Sequence, residues 1–273
     1  MDHNGSGAIK DQKRSALERL RAWVPAVAAL LLTAVIIMLA VIAGQSLASL
    51  FDVAADYGAP GAHPPGHFEA LSAKRLGAFF AGFQGSVVVL TLTAASLIPS
   101  LRGSALALGW PKGGLRTLAL SVIGLLAISG AIASLIYLLD PSTLAHDLLP
   151  FIQMARSDGW WILLLAASVG APLAEELLFR GLLFGGLRTS SLGFMGAAIL
   201  SAGIWSGIHY GYSIYALALV FGIGVYFAWL RERSGSLWPC IVAHAAYNGA
   251  IILALVFLPE HTLREALGII STP

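Results

Sequence analysis

The stretch WWILLLAASVGAPLAEELLFRGLLFGGL, residues 160–187, decides the fold because it is apolar over more than the thickness of a membrane. A helix rises about 1.5 Å per residue, so roughly 20 apolar residues cross about 30 Å of hydrocarbon. Three residues in it carry formal charge: Glu175, Glu176 and Arg180. The stretch lacks the period-two alternation of a membrane β-strand. It predicts a membrane-spanning helix with charges in its interior.

The composition of the whole chain has the same character. Hydrophobic residues make up 58% of its 273 residues, charged residues 11%, and the mean hydropathy is +0.81. A soluble domain is about 45–50% apolar and about 25% charged, which excludes a soluble globular enzyme. The net charge of +2 argues against a nucleic-acid-binding protein. The single cysteine, Cys240, excludes an intrachain disulfide and a cysteine-based zinc site.

Other apolar stretches of the chain are also long enough, or nearly long enough, to cross a membrane. The fifth and sixth stretches in chain order are the short ones. The predicted spans are 23–47, 76–100, 117–139, 160–187, 192–209, 212–230 and 237–258. We therefore predict an all-α fold, a polytopic transmembrane helix bundle of about seven spans. The predicted parts are a basic cytoplasmic leader (1–22), N-terminal transmembrane helices (23–150) and a motif-bearing catalytic transmembrane core (151–273).

The distribution of basic residues predicts the orientation. With a cytoplasmic N-terminus, eleven Lys and Arg residues fall on the inside and four on the outside, as the positive-inside rule requires. The first span is longer than the h-region of a signal peptide, which indicates a retained helix. We expect a multi-pass protein in contact with the lipid bilayer, in a bacterial inner (plasma) membrane.

The three charges inside the fourth span are the first candidate site. An ionisable residue at the bilayer centre costs about 2.5–3.5 kcal/mol on insertion scales and usually marks function. Glu176 and Arg180 are four residues apart, which predicts a buried ion pair. Glu175 is rotated by about 100° from its neighbour, which leaves its carboxylate available. The alternative is that all three form one structural charge cluster.

Two histidines also lie at span positions. His209 ends the fifth span, and Trp205, four residues earlier, is expected to pack against its ring. His244 lies in the seventh span and shares a helix face with Asn248. Each histidine alone is often just a hydrogen-bonding residue between helices. The rise per residue of a helix places His244 and Asn248 at about the same depth in the membrane as Glu175. Of the candidate residues, His209 fits this common depth least well.

A carboxylate and two imidazoles in a dry cavity favour hydrolysis. Glu175 with His209 can hold and deprotonate a water, while His244 and Asn248 donate hydrogen bonds to a developing oxyanion. Alternatively, Glu175, His209 and His244 bind Zn²⁺ and leave a fourth position for water. Both readings need the same residue types, so the residues alone leave the metal open.

Three short motifs, taken together, resemble the signature of a known family. They are Glu175-Glu176-x-x-x-Arg180, Trp205-x-x-x-His209 and His244-x-x-x-Asn248. Their order and their placement on separate spans, over about residues 160–258, are similar to the CPBP family. This family comprises the CAAX prenyl endopeptidases and bacteriocin-processing intramembrane proteases, also called Abi. One departure is that the second motif usually starts with Phe and here starts with Trp205.

The resemblance implies an intramembrane endopeptidase acting on peptide bonds of membrane-associated or lipidated peptide or protein substrates. It implies Glu175 and His209 as the water-activating pair, with His244 and Asn248 supporting the oxyanion. Glu176 and Arg180 complete the implied site. The family has been described both as metalloproteases and as metal-independent glutamate-type proteases, which leaves the zinc question open.

Two non-proteolytic functions are the alternatives. The first is a non-catalytic membrane immunity or sensor protein of the same fold. The second is an ion-coupled transporter, since buried Glu, Arg and His also mark proton relays. The transporter ranks last because the sequence shows no internal repeat, which such proteins often have.

Overall fold

The computed structural model describes residues 4–50, 73–157, 159–259 and 261, and within these ranges the regular structure is helical without strands. The helices are α1 (Asn4–Ser49), α2 (Ala73–Leu97), α3 (Pro99–Ala105), α4 (Gly114–Leu139), α5 (Pro141–Ala155), α6 (Trp160–Arg188), α7 (Gly193–Gly207), α8 (Ile214–Ser234) and α9 (Trp238–Phe257). The predicted all-α class is confirmed. Parts of the predicted leader, N-terminal region and core lie outside the described residues: 1–3, 51–72 and 262–273.

Six helices of the described chain are long and apolar enough to cross a membrane. They are Trp23–Ser49 of α1, Lys74–Leu97 of α2, and α4, α6, α8 and α9 over their full lengths. The predicted span 192–209 is instead the 15-residue α7. At about 22 Å, α7 is shorter than the roughly 30 Å of hydrocarbon. The span count is therefore six rather than about seven.

The ends of the helices form two opposite faces, here called face I and face II. At face I, the ends of α6 and α8 meet where Arg188 Nη2 lies 2.9 Å from Glu232 Oε1. The α3–α4 connection joins them, because the Lys112 amide donates to the Ser234 carbonyl at 3.1 Å. At face II, Arg156 between α5 and α6 donates to the Val256 carbonyl near the end of α9.

Helix α6 forms the centre of the bundle. Its residues from Glu176 to Leu187 are all buried, including both charged ones. Neighbouring helices approach closely at its glycines: a Cβ on Gly186 would lie 2.4 Å from the Ala29 Cβ of α1. Small residues are what allow such close helix packing in membranes. Two of the three charges predicted to lie inside the membrane, Glu176 and Arg180, therefore sit in the most enclosed part of the fold.

The backbone of α6 is not a uniform α-helix. Two segments have π-helical hydrogen bonding, Ala166–Gly170 and Glu176–Leu183, and an α-helical segment, Ala171–Glu175, separates them. π segments inside α-helices occur frequently at functional sites. Glu175 ends the α-helical segment and Glu176 begins the second π segment, so the two carboxylates lie where the helical register changes.

Candidate active site

The side chain of Trp205 on α7 connects the candidate residues. Its indole Nε1 donates a hydrogen bond to Glu175 Oε2 at 2.6 Å. The guanidinium carbon of Arg180 lies 4.1 Å from the centroid of its ring. The rings of His209 and His244 lie 5.5 and 5.7 Å from it, both edge-on. One buried indole therefore contacts residues of α6, α9 and the turn that follows α7.

Glu176, Arg180 and His244 form a buried polar cluster. Glu176 Oε1 accepts a hydrogen bond from Arg180 Nη1 at 3.2 Å and lies 2.9 Å from His244 Nδ1. Their side chains are 0%, 1% and 7% exposed, respectively. The Glu176–Arg180 pair predicted from the spacing is present. Removing one partner of such a buried pair leaves an uncompensated charge, which costs about 3–5 kcal/mol.

Glu175 differs from the sequence-based expectation of an unpaired carboxylate. It is half-buried and accepts the hydrogen bond from the Trp205 indole. This contact crosses from α6 to α7, so helix spacing could not have predicted it. The one signal in the sequence was the second motif itself. It begins here with an aromatic residue that carries an N–H donor, whereas the usual Phe has none.

His209 lies two residues beyond the end of α7, on a turn. Its Nδ1 is 2.9 Å from the Trp205 carbonyl oxygen, and because that oxygen accepts, Nδ1 carries the proton. The Nε2 atom is then the unprotonated nitrogen, which suits a base. The half-buried ring is 5.4 Å from the ring of Tyr212. The expected packing of Trp205 on His209 is present.

Asn248 shares a helix face with His244, but the two side chains bond to different parts of α6. Its Nδ2 donates to the Ala167 carbonyl at 2.9 Å, in the first π segment. His244 bonds to Glu176, about two turns further along the same helix. The role of Asn248 as an oxyanion donor stays a prediction.

The residues proposed for zinc do not fit a metal as they are placed. In the described part of the chain, no three His, Cys, Asp or Glu side chains come together in an arrangement that holds an ion. Glu175 and His209 each use one polar atom on Trp205, and His244 uses one on Glu176. The metal set Glu175, His209 and His244 is thus dispersed around the indole.

Sequence reasoning missed Tyr212, which lies on the same turn as His209. The Tyr212 amide donates to the His209 carbonyl at 2.9 Å. Burial, with smaller contributions from Glu175, Asp147 and Tyr247, raises the pKa of Tyr212 to about 12. It is therefore a neutral hydroxyl at physiological pH. The signal was its position three residues after a candidate histidine, which places both on one turn.

A second missed contact fixes this turn from outside. Asp147 of α5 accepts hydrogen bonds from the Ser213 amide at 2.9 Å and the Ser213 hydroxyl at 2.5 Å. Ser213 in turn caps α8 by accepting from the Ala216 amide. Phe151 of α5 packs edge-on against Tyr212, with ring centroids 6.3 Å apart. Helix α5 thereby holds the end of the α7–α8 connection that leads into α8.

Comparison with known proteins finds a match to one family model. Residues 157–250 match the model of the type II CAAX prenyl endopeptidase Rce1-like family, and all three motifs fall inside this segment. This match supports the resemblance to CPBP proteases that the three motifs indicated.

The chain is also similar to “Putative membrane peptidase YdiL” of Bacillus subtilis (strain 168), with 28% identity over 92 residues. The match covers 34% of this chain and 36% of the Bacillus protein, so the chain spans about a third of that relative's length. No solved structure matches the chain significantly. Helices α1 to α5 lie outside the segment that matches the family model.

Proposed function

We propose that this protein is an intramembrane endopeptidase that hydrolyses peptide bonds of membrane-associated or lipidated substrates through a Glu- and His-activated water. The observation that carries the proposal is the gathering of Glu175, Arg180, His209 and His244 around the indole of Trp205. Four polar groups placed together inside an apolar bundle cost free energy, which favours a functional reason for them.

In the proposed mechanism, Glu175 and His209 share the activation of water. One Glu175 oxygen is fixed by the indole, and one His209 nitrogen is fixed by the Trp205 carbonyl. The second oxygen and the Nε2 atom accept hydrogen bonds from a water bound between them, and one of the two removes a single proton from it. The hydroxide attacks the scissile carbonyl carbon, and the abstracted proton later passes to the leaving amine as the C–N bond breaks.

In the proposed mechanism, His244 stabilises the oxyanion of the tetrahedral intermediate. Glu176 fixes the orientation of the ring through its contact with Nδ1, and Nε2 is the atom that would face the oxyanion. Arg180 balances the charge of Glu176 and stacks on Trp205 and Phe227. We infer a positioning role for Glu176 and Arg180, because both are enclosed by side chains.

We further propose that face I is cytoplasmic, in a bacterial inner membrane. Bases concentrate at the helix ends and connections that form this face: Arg102, Lys112, Arg116, Arg188, Arg231 and Arg233. Cytoplasmic segments carry the excess of Lys and Arg. The basic leader that precedes Trp23 approaches the same face, since the Pro25 carbonyl lies beside Gly186.

The proposal is tested with protein purified into lipid nanodiscs. A library of membrane-anchored peptides, with and without a prenyl group, is incubated with it and the products are identified by mass spectrometry. We expect cleavage by the wild type, and at least a hundredfold loss in Glu175→Gln and His209→Ala. Glu232→Gln is the matched control, because this carboxylate is 36% exposed at face I. Full activity in both site variants would refute the assignment.

A non-catalytic immunity or sensor role makes a different prediction. A cellular phenotype that depends on binding alone would survive Glu175→Gln, whereas one that depends on proteolysis would be lost. Measuring the phenotype of this variant beside Glu232→Gln therefore separates the two functions.

A further inference from the structure

The first π segment of α6 leaves a backbone carbonyl without a helical partner. The Ala171 amide donates to the Ala166 carbonyl, five residues back. In this register the next carbonyl, that of Ala167, would accept from residue 172. Pro172 has no N–H to give. An unpaired carbonyl inside a membrane bundle costs several kcal/mol, so a donor must come from elsewhere.

Two side-chain amides supply hydrogen bonds to this segment. Asn248 of α9 donates to the Ala167 carbonyl at 2.9 Å. Gln84 of α2 donates to the neighbouring Ala166 carbonyl at 3.0 Å, although that carbonyl already accepts within the helix. The π segment is therefore held by donors from two other helices.

The position of Gln84 supports a specific contact with the π segment. Gln84 lies near the middle of Lys74–Leu97, where an amide without a partner is costly. Its side chain occupies the space beside Gly170, because a Cβ there would lie 1.8 Å from Gln84 Oε1. Gly170 of α6, which has no Cβ, thus leaves the space that the side chain of Gln84 of α2 occupies.

We propose that Gln84 is a positioning residue that holds the π register of α6 and thereby aims Glu175 at Trp205. A return to α-helical register would change the rotation of the following residues by about 100°, the turn of one residue. Glu175 lies five residues beyond the π segment, and Glu176 six. A register change would thus direct Glu175 away from the indole and Glu176 away from His244.

The catalytic consequence of this inference rests on the proposed function, but the structural consequence does not. Gln84 lies on α2, outside the segment that matches the family model. The hydrogen bond from the Trp205 indole to Glu175 reports the orientation of Glu175 without any substrate. An indole proton bonded to a carboxylate resonates downfield of one that is not, so NMR detects its loss.

The experiment uses full-length protein in nanodiscs, labelled with ¹⁵N-tryptophan, with the Trp205 signal assigned from Trp205→Phe. We expect Gln84→Leu and Gly170→Ala to shift this signal upfield and to lower kcat at least tenfold, with KM within twofold. Gly85→Ala is the matched control, because a Cβ there meets nothing within 4 Å. It should change neither quantity.

The inference is overturned if Gln84→Leu and Gly170→Ala leave the Trp205 signal where Gly85→Ala leaves it. Should Gln84→Leu fail to fold, Gly170→Ala decides, since it displaces the amide without deleting a polar group. If Glu175→Gln remains fully active, the proposed function fails, while the NMR shift still tests the role of Gln84. A shift without loss of kcat would also contradict the catalytic part.

Discussion

The indole nitrogen of Trp205 lies 2.6 Å from a carboxylate oxygen of Glu175, so a neutral donor holds the proposed water-activating group. Arg180, the nearby cation on the same helix, is paired with Glu176 instead. The two adjacent glutamates are thus given different partners. Glu176 therefore forms the buried ion pair, whereas Glu175 is oriented by an uncharged group.

Replacing Trp205 with Phe removes the donor but keeps an aromatic ring for Arg180. A hydrogen bond to a charged group contributes about 1.5–3 kcal/mol, so we expect kcat to fall roughly 10- to 100-fold. Peptide cleavage by purified protein measures this. Trp229→Phe is the control, because Trp229 is 45% exposed on α8. Equal activity in the two variants would show that the donor has no role in positioning Glu175.

Replacing Glu176 with Gln leaves the buried Arg180 charge uncompensated. We expect a loss of about 3–5 kcal/mol in the free energy of unfolding, because neither side chain is more than 1% exposed. Denaturation of nanodisc- or detergent-bound protein measures it. Glu232→Gln, which breaks the exposed pair with Arg188, should cost less than about 1 kcal/mol. Similar losses in both variants would contradict the burial argument.

Replacing Ser213 with Ala removes one of its two hydrogen bonds to Asp147 and the cap of α8. We expect faster amide hydrogen exchange in residues 208–213 and a several-fold drop in kcat, because His209 lies on this turn. Ser157→Ala is the control, since that exposed hydroxyl forms local bonds, donating to the Met154 carbonyl and accepting from the Gly159 amide. Unchanged exchange in Ser213→Ala would mean that α5 does not fix the turn.

Tyr212 should lose its proton only at very alkaline pH. Its pKa is raised to about 12, chiefly by burial, above an ordinary value near 10. A pKa raised in the folded state contributes stability that is fully present below pH 10 and lost as the pH rises towards 12. Tyr212→Phe should therefore show less alkaline destabilisation than the wild type or Tyr210→Phe, measured by denaturation between pH 9 and pH 12. Identical pH profiles would contradict the assignment.

The proposed orientation can be tested with single cysteines. Cys240 is fully buried, and replacing it with Ser gives a cysteine-free background. Thr189 lies at face I and Ser157 at face II, both exposed. If the N-terminus is cytoplasmic, a membrane-impermeant maleimide added to right-side-out vesicles labels Ser157→Cys and spares Thr189→Cys. The reverse pattern would invert the proposed orientation.

Local spacing predicted those features that depend on one helix. Apolar length gave the membrane spans, and four-residue spacing gave both the Glu176–Arg180 pair and the Trp205–His209 contact. The bond from Trp205 to Glu175 and that from Asn248 to Ala167 each join two helices. Their partners depend on helix rotation, which hydropathy does not determine.

Other features depended on the backbone rather than on residue type. Apolar residues continue past Gly207, yet α7 ends there, so composition overestimated this span. The π segment before Glu175 could not be predicted from the sequence either, because the residues there have the pattern of an ordinary apolar helix. Pro172 was its one visible sign, and without the register of the segment its missing N–H could not be assigned to a carbonyl.

The short α7 also bears on how water reaches a reaction inside lipid. The connection from Ile208 to Ser213 follows α7 and leads into α8, and backbone groups outside a regular helix need other hydrogen-bonding partners. Tyr210 in this connection is 89% exposed. Water that satisfies these groups is at hand for His209, so the reactant would be admitted from face II. Solvent relaxation labels at Tyr210 and at Thr189 can compare the hydration of the α7–α8 connection with that of face I. Lower hydration at Tyr210 than at Thr189 would contradict the entry of water from face II.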